Sequence, residues 1–430
     1  MLNSLICKKS SPERGTSSFR NIMVQIKRKV IFNGSLLNYM KNVRFSSSLK
    51  IQDKARPQPE LENSFKYADI SVRLAPPNLL QPKPDVRDLV FGKFFTDHMF
   101  KVFFHEDLGG WQTPEITPLE NLVLHPACKA LHYAVQVFEG MKAYRGKDDK
   151  IRLFRPELNM ERMNLSAQRL GLPTFNRTEF IKCLTRLISI DQEWVPHCET
   201  ASLYIRPTLI GVDPTLGVAT SRSALFYAIL CPVGSYFHNK APKGISLLAD
   251  PNFTRAWPGG CGDRKVGSNY APTIHVQEKA EEKGLQQVLW LYGEDMQLTE
   301  VGTMNIFMFI INDEGEKELI TPPLNGLILP GITRKSILNL AIEWNQFKVT
   351  EKNITMEQVC HLNSEKRILE MFGAGTACVV SPISSISFLD EVLYIPTLDQ
   401  LNPIHQMFLK TLLDIQYGCV PNHPWVLKID

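Results

Sequence analysis

Between Pro258 and Tyr270, four glycines surround a single lysine, Lys265, in the run Pro-Gly-Gly-Cys-Gly-Asp-Arg-Lys-Val-Gly-Ser-Asn-Tyr. Residues without a Cβ let the backbone turn sharply and let a flat ligand come close to it. A lysine kept for solubility needs no such surroundings. One that forms a Schiff base with a carbonyl compound does, because it must be held, partly desolvated and within reach. On this stretch alone, a Gly-rich surface turn carrying a solvated lysine is the competing reading.

At 430 residues the chain has room for two domains, each with its own core. Its 44% hydrophobic and 21% charged residues are those of an ordinary globular protein. No apolar run approaches the roughly 20 residues that span a bilayer, so no membrane partner is expected. The net charge of +4 hides an asymmetry. Residues 1–50 carry ten Lys/Arg against one acid, Glu13, while the other 380 carry 38 basic and 43 acidic side chains. The body is therefore mildly acidic and has no basic stripe, which argues against a nucleic-acid partner. Nine cysteines are scattered from Cys7 to Cys419 with no CxxC or metal-finger spacing. They read as free thiols in a reducing compartment, with no metal site.

The first fifty residues are basic, Ser-rich and nearly free of acid, which is the composition of a mitochondrial transit peptide. Val43-Arg44-Phe45-Ser46 resembles a matrix-processing site, so a mitochondrial matrix location is expected; a cytosolic product starting at Met23 is the alternative. Residues 51–88 are Pro-rich and read as an extended lead-in.

Beyond the lead-in, helices and strands mix without the regular rhythm of a doubly wound sheet. Lys150–Phe154 alternates like a half-buried strand. A helix starts at Pro156 and is stopped by Gly171-Leu-Pro173, with Arg162, Ser166 and Arg169 on one polar face. A second helix spans about 177–192. Strands follow at Ala201–Thr208 and Ala224–Cys231, then at Val288–Tyr292 and Asn305–Ile311, and a helix at about 334–346. The reading is α+β in two domains: a smaller one over 89–234, an interdomain loop over 235–245, and a larger one over 246–430 that carries Lys265.

Three further features suit a phosphorylated aromatic aldehyde. Leu329-Pro330-Gly331-Ile332-Thr333 leads into a helix, whose N-terminus offers free N–H groups and a favourable dipole to a phosphate. Phe372-Gly-Ala-Gly-Thr-Ala377 suggests a second backbone cradle with a threonine hydroxyl. Glu300 supplies a carboxylate for a protonated pyridine nitrogen.

Taken with Leu131–Tyr144, Leu203–Pro207, Gln287–Gly293, Leu298–Ile306 and Thr321–Gly326, the chain from about Phe91 to Gly418 resembles the fold type IV pyridoxal-phosphate enzymes. Within these it resembles the eukaryotic branched-chain-amino-acid aminotransferases. The resemblance implies pyridoxal phosphate on Lys265, with Glu300 at the pyridine nitrogen and Tyr270 at the phenolic oxygen. It implies phosphate contacts from Arg162, Ile332, Thr333 and Thr376, and Leu329 against the ring. The activity implied is transamination of leucine, isoleucine and valine with 2-oxoglutarate.

It further implies an aromatic substrate pocket of Phe95, Tyr133, Phe138, Tyr204 and Tyr236. Arg206 joins the Tyr133 and Tyr204 hydroxyls to take a distal carboxylate, while Thr303 and the Thr376-Ala377 turn take the α-carboxylate. The loop Asp213–Val218 exposes Leu216 and Val218, which in the family reach a neighbouring subunit's pocket and imply a homodimer. Association with oxo-acid dehydrogenases is left open. One departure stands out: vertebrate relatives carry Cys-x-x-Cys where this chain has Cys378-Val-Val-Ser381, so a disulfide switch cannot form there.

Two rival readings keep the fold. One is a D-amino-acid aminotransferase or aminodeoxychorismate lyase, opposed by Tyr204-Ile-Arg206 and by Phe138-Glu-Gly-Met-Lys142. The other is a catalytically idle binding protein, opposed by the intact set of Lys265, Glu300, Tyr270 and Arg162.

Overall fold

A computed structural model describes residues 63–234 and 244–429. The expected transit peptide, the start of the lead-in, Tyr236 and most of the loop 235–245 lie outside the described residues.

Apolar-rich strands, most of them buried along their length, build two sheets. The first has ten strands. Its centre is antiparallel, running from His98–His105 through Ser223–Val233 and Ser202–Gly211 to Met141–Arg145. The lead-in contributes Ser71–Val72, which pairs in parallel with Glu115–Pro118. The chain's last strand, Val426–Ile429, returns to this sheet and pairs with Ile151–Phe154. That return brings the end of the described chain back to the first sheet, at the edge opposite Ser71–Val72, and no local pattern in the sequence announces it.

Seven α-helices accompany the sheets among the described residues: α1 (Lys129–Tyr133), α2 (Pro156–Arg169), α3 (Arg177–Ile190), α4 (Thr273–Glu282), α5 (Ile332–Trp344), α6 (Met356–Ser364) and α7 (Ile404–Gln416). Pro156 opens α2, as expected from its fixed φ and missing N–H. Asn176 caps α3 by accepting from the N–H groups of Thr178 and Glu179. The apolar faces of both helices pack on the first sheet around Phe100, Phe175, Phe180 and Phe226, all fully buried. Burying one such ring contributes about 1.5–3 kcal/mol.

The second sheet has nine strands. Six of them close on themselves, because Gln297–Val301 pairs with both Gln287–Tyr292 and Met304–Ile311. The ring continues through Ile368–Gly375, Val379–Phe388 and Ile245–Ala249. Leu247, Leu289, Met371 and Ile383 fill it. The α5 helix begins at Ile332, two residues before the expected start, with Gly331 as its N-cap. Ile332 and Thr333 are therefore in the helix's first turn rather than in the loop before it.

The lysine loop runs between the sheets. Val266 bridges Val137, and the Lys265 carbonyl accepts from Phe138 N. Its glycines have a more specific role than the sequence suggests: they let the loop pack on protein. A Cβ on Gly262 would lie 2.5 Å from Ala256 Cβ and 2.8 Å from the carbonyl oxygens of Gly326 and Leu327. A Cβ on Gly267 would overlap the Gln136 amide.

Candidate active site

The α2 helix grips the lysine loop from the first sheet's side. Ser166 Oγ accepts from Lys265 N at 3.0 Å, and Arg169 donates to Gly259 O at 2.8 Å. The expected polar face of α2 is therefore used, with Arg162 one turn earlier turned into the cavity. Lys265 Nζ donates to Tyr270 Oη at 3.2 Å and lies 4.7 Å from the Phe138 ring centre. The Tyr270 and Phe138 rings are 4.9 Å apart. Five residues of loop thus return the hydroxyl to the amine.

Glu300 stands on the strand Gln297–Val301 and is buried. One oxygen accepts from Leu329 N at 2.8 Å; the other is 3.1 Å from Arg255 Nε. Burial pushes its carboxyl up, against the pull of the Arg255 charge and the Leu329 N–H. A cation arriving beside Glu300 would offset that desolvation cost.

Arg162 is also buried and is held in a fork by Glu139, through Nε at 2.7 Å and Nη2 at 2.8 Å. Its Nη1 donates to Pro330 O at 3.1 Å. Burial opposes ionisation of Glu139, yet the charge and hydrogen bonds of Arg162 hold its carboxyl below the ordinary range. The guanidinium retains N–H groups for a further anion. Near it the first turn of α5 has no side-chain cap, so its leading N–H groups are available.

These groups line one cavity of about 390 Å³. Lys265, Tyr270, Glu300, Arg162, Leu329, Ile332, Thr333, Thr376, Thr303, Ala377, Phe138, Tyr204 and Arg206 all contribute to its wall. A flat ring with a basic nitrogen and a phosphate fits this set. Glu300 would take the nitrogen. Arg162, the uncapped turn of α5 and the Thr333 and Thr376 hydroxyls would take the phosphate.

Two expected pocket residues stand elsewhere. Phe95 does not line the cavity; it packs behind Tyr204 with Cys231 and Val233. Phe91 takes that wall, its ring 4.9 Å from that of Tyr204. The chain before the strand His98–His105 turns so that Phe91, not Phe95, faces the opening. Tyr133 is 40% exposed and donates to Leu216 O, outside the cavity of its own chain. Leu216 and Val218 stand beside it, 60% and 84% exposed. Tyr236 lies outside the described residues.

Sequence reasoning did not find Glu139 or Arg255, which hold the two central charges. Glu139 sits inside the Phe138-Glu-Gly segment that carried part of the resemblance, and a buried arginine's need for a partner is the signal that could have found it. Arg255 has no local signature.

A cavity wall drawn from both sheets, with lysine and tyrosine facing a buried carboxylate, defines an aminotransferase of class IV. Residues 136–386 match the family described as Amino-transferase class IV. The cytosolic branched-chain-amino-acid aminotransferase of Ovis aries is 52% identical over 83% of this chain and 91% of its own length. The mitochondrial one of Rattus norvegicus is 50% identical over 86% and 93%. A crystal structure of the branched-chain aminotransferase from Thermoproteus uzoniensis with norvaline superposes with a TM-score of 0.62 at 24% identity, covering 77% of this chain and 100% of that one. The chain belongs to the branched-chain-amino-acid aminotransferases.

Proposed function

We infer that this chain is a pyridoxal-phosphate-dependent transaminase that moves the amino group of leucine, isoleucine or valine to 2-oxoglutarate. The observation that carries the reading is the joining, in one cavity, of the Lys265–Tyr270–Glu300 set with an aromatic wall and Arg206. The alkyl side chain of a branched amino acid suits Phe91, Phe138 and Tyr204. Arg206, 4.8 Å from the Phe138 ring and bonded to Tyr204 Oη at 3.1 Å, takes the second carboxylate of 2-oxoglutarate or glutamate.

When bound, pyridoxal phosphate supplies an aldehyde that condenses with an amine and a ring that accepts the electrons of the substrate's Cα–H bond. The chain's own residues do the rest. Glu300 keeps a proton on the ring nitrogen. Lys265 Nζ, as a free amine in the cavity, would take the Cα proton as general base. Tyr270 Oη, within hydrogen-bond reach, orients that amine. Arg162, Thr333 and Thr376 anchor the phosphate, and Thr303 with the Thr376–Ala377 turn holds the α-carboxylate.

The exposed Tyr133, Leu216 and Val218 favour a homodimer in which each chain closes its partner's pocket. We place the two domains at 89–234 and 246–430, linked at 235–245, with the first domain's sheet also taking Ser71–Val72 and Val426–Ile429 at its edges. The basic, acid-poor start of the chain favours delivery to the mitochondrial matrix.

An absorption spectrum tests the reading. Purified protein with added pyridoxal phosphate is expected to show a visible band that leucine bleaches and 2-oxoglutarate restores, and that Lys265→Ala lacks. A band bleached only by another amine overturns the substrate; no band overturns the chemistry.

A further inference from the structure

Lys142 lies on the strand Met141–Arg145, opposite Tyr204 in the sheet register, and is only 7% exposed. Its ammonium reaches across to the second sheet and donates to Ala377 O at 2.8 Å. Among the described residues it forms no ion pair. A buried charge without a counter-charge is costly, and an anion arriving nearby would offset part of that cost. The acceptor belongs to the turn that borders the cavity through Thr376, Ala377 and Cys378.

The Ala377 carbonyl and the Cys378 N–H are the two ends of one peptide and point in opposite directions. A cation on the carbonyl end draws electron density toward itself and strengthens the N–H end as a donor. Burial pulls the Lys142 ammonium down to about 8, with the neighbouring Cys378 the resolved opposing influence. That is the direction expected of a cation that its own chain does not neutralise.

We propose that Lys142 is a positioning residue for substrate carboxylate, fixing the Thr376–Ala377–Cys378 turn through Ala377 O and lending the pocket a positive charge from behind that turn. This rests on the aminotransferase reading above. Arg206 and Lys142 then divide the work: one meets the ligand at the distal end, the other acts through backbone at the turn.

The test uses the cofactor-loaded enzyme and two unreactive probes, 4-methylpentanoate and the equally shaped neutral 4-methylpentanamide, with binding followed by calorimetry. Wild type is expected to prefer the acid. Lys142→Met, which keeps the apolar stem, is expected to bind the acid about tenfold more weakly and the amide unchanged. Lys142→Arg is expected to restore the preference. In turnover, Lys142→Met is expected to raise KM for leucine and for 2-oxoglutarate about tenfold while kcat falls less than about threefold. A Lys142→Met protein that keeps the preference for the acid overturns the proposal. Equal weakening of acid and amide also overturns it and assigns Lys142 a packing role. Wild type that neither binds the acid nor reacts with leucine overturns the substrate reading beneath it.

Discussion

At the Glu300 end of the cavity each charged group meets a partner from its own chain; at the Arg206 end, among the described residues, the guanidinium meets no acid. Glu300 has Arg255 and Leu329 N, and Arg162 has Glu139 and Pro330 O. Lys265 has Tyr270. Among the described residues Arg206 donates to Tyr204, faces aromatic rings and forms no ion pair. The difference is the one expected if the proposed site binds cofactor at one end and substrate at the other. A resident cofactor always presents the same ring nitrogen and phosphate, so the site can be built around them in advance. The substrate alternates between an alkyl chain and a carboxylate, and an arginine committed to an internal acid would be lost to the second of these.

The sharpest break of that contrast is at the preassembled end. Lys265→Ala is expected to lower kcat/KM by about 10⁴-fold, the upper range for loss of a positioned proton-transfer group. A steady-state assay with leucine and 2-oxoglutarate checks this, and retention of the phosphate grip should leave cofactor binding measurable by dialysis and fluorescence. Glu139→Gln strikes the same end without touching substrate. It leaves the Arg162 guanidinium buried beside a neutral amide, at a cost of about 3–5 kcal/mol in unfolding free energy. Because Glu139 titrates below its unfolded value of 4.5, its contribution is complete above that pH and fades as pH falls through the lower folded value. Denaturant melts at several pH values are expected to show the wild-type advantage shrinking on the acid side.

The unpartnered end predicts a different pattern. Arg206→Met is expected to raise KM for 2-oxoglutarate by about 10- to 100-fold, the loss of a charge-assisted hydrogen bond, while KM for leucine changes little. Equal effects on both substrates would show that Arg206 shapes the pocket rather than reads a carboxylate. Tyr133→Phe is expected to change KM by only about threefold, since one hydroxyl bond to Leu216 O at an exposed site is removed.

The sequence discloses the two ends unequally, for a physical reason. Glycines around Lys265 and Leu-Pro-Gly before α5 are local marks of backbone geometry, and local marks survive in a linear string. The α2 helix is legible for the same reason, from Pro156 to Gly171. Charge partners are not local: Arg255 reaches Glu300 across 45 residues, Lys142 reaches Ala377 across 235, and no periodicity links either pair. The misplacement of Phe95 has another cause. Aromatic type does not say which ring a turning lead-in will aim at the opening, and here it is Phe91. Tyr133, expected in the pocket, stands outside the cavity of its own chain with its hydroxyl on the loop at Leu216, a contact between segments 83 residues apart.

The smallest expected effect concerns Cys378, which sits where the two ends meet. Its Sγ lies 3.1 Å from Met304 Sδ, and Ser381, not a second cysteine, stands three residues on. Burial pushes the thiol up to about 11 despite the Lys142 charge beside it. The thiol then stays protonated near neutral pH, and the thiolate is the form that reacts with peroxide. Mild hydrogen peroxide is therefore expected to leave activity unchanged and to form no disulfide from Cys378 to another cysteine of the same chain. Intact and peptide mass spectrometry check this directly. A crosslink from Cys378, or rapid inactivation reversed by a thiol, would mean that the turn opens in solution. The contact from Lys142 to Ala377 would then be a gate rather than a fixed strut.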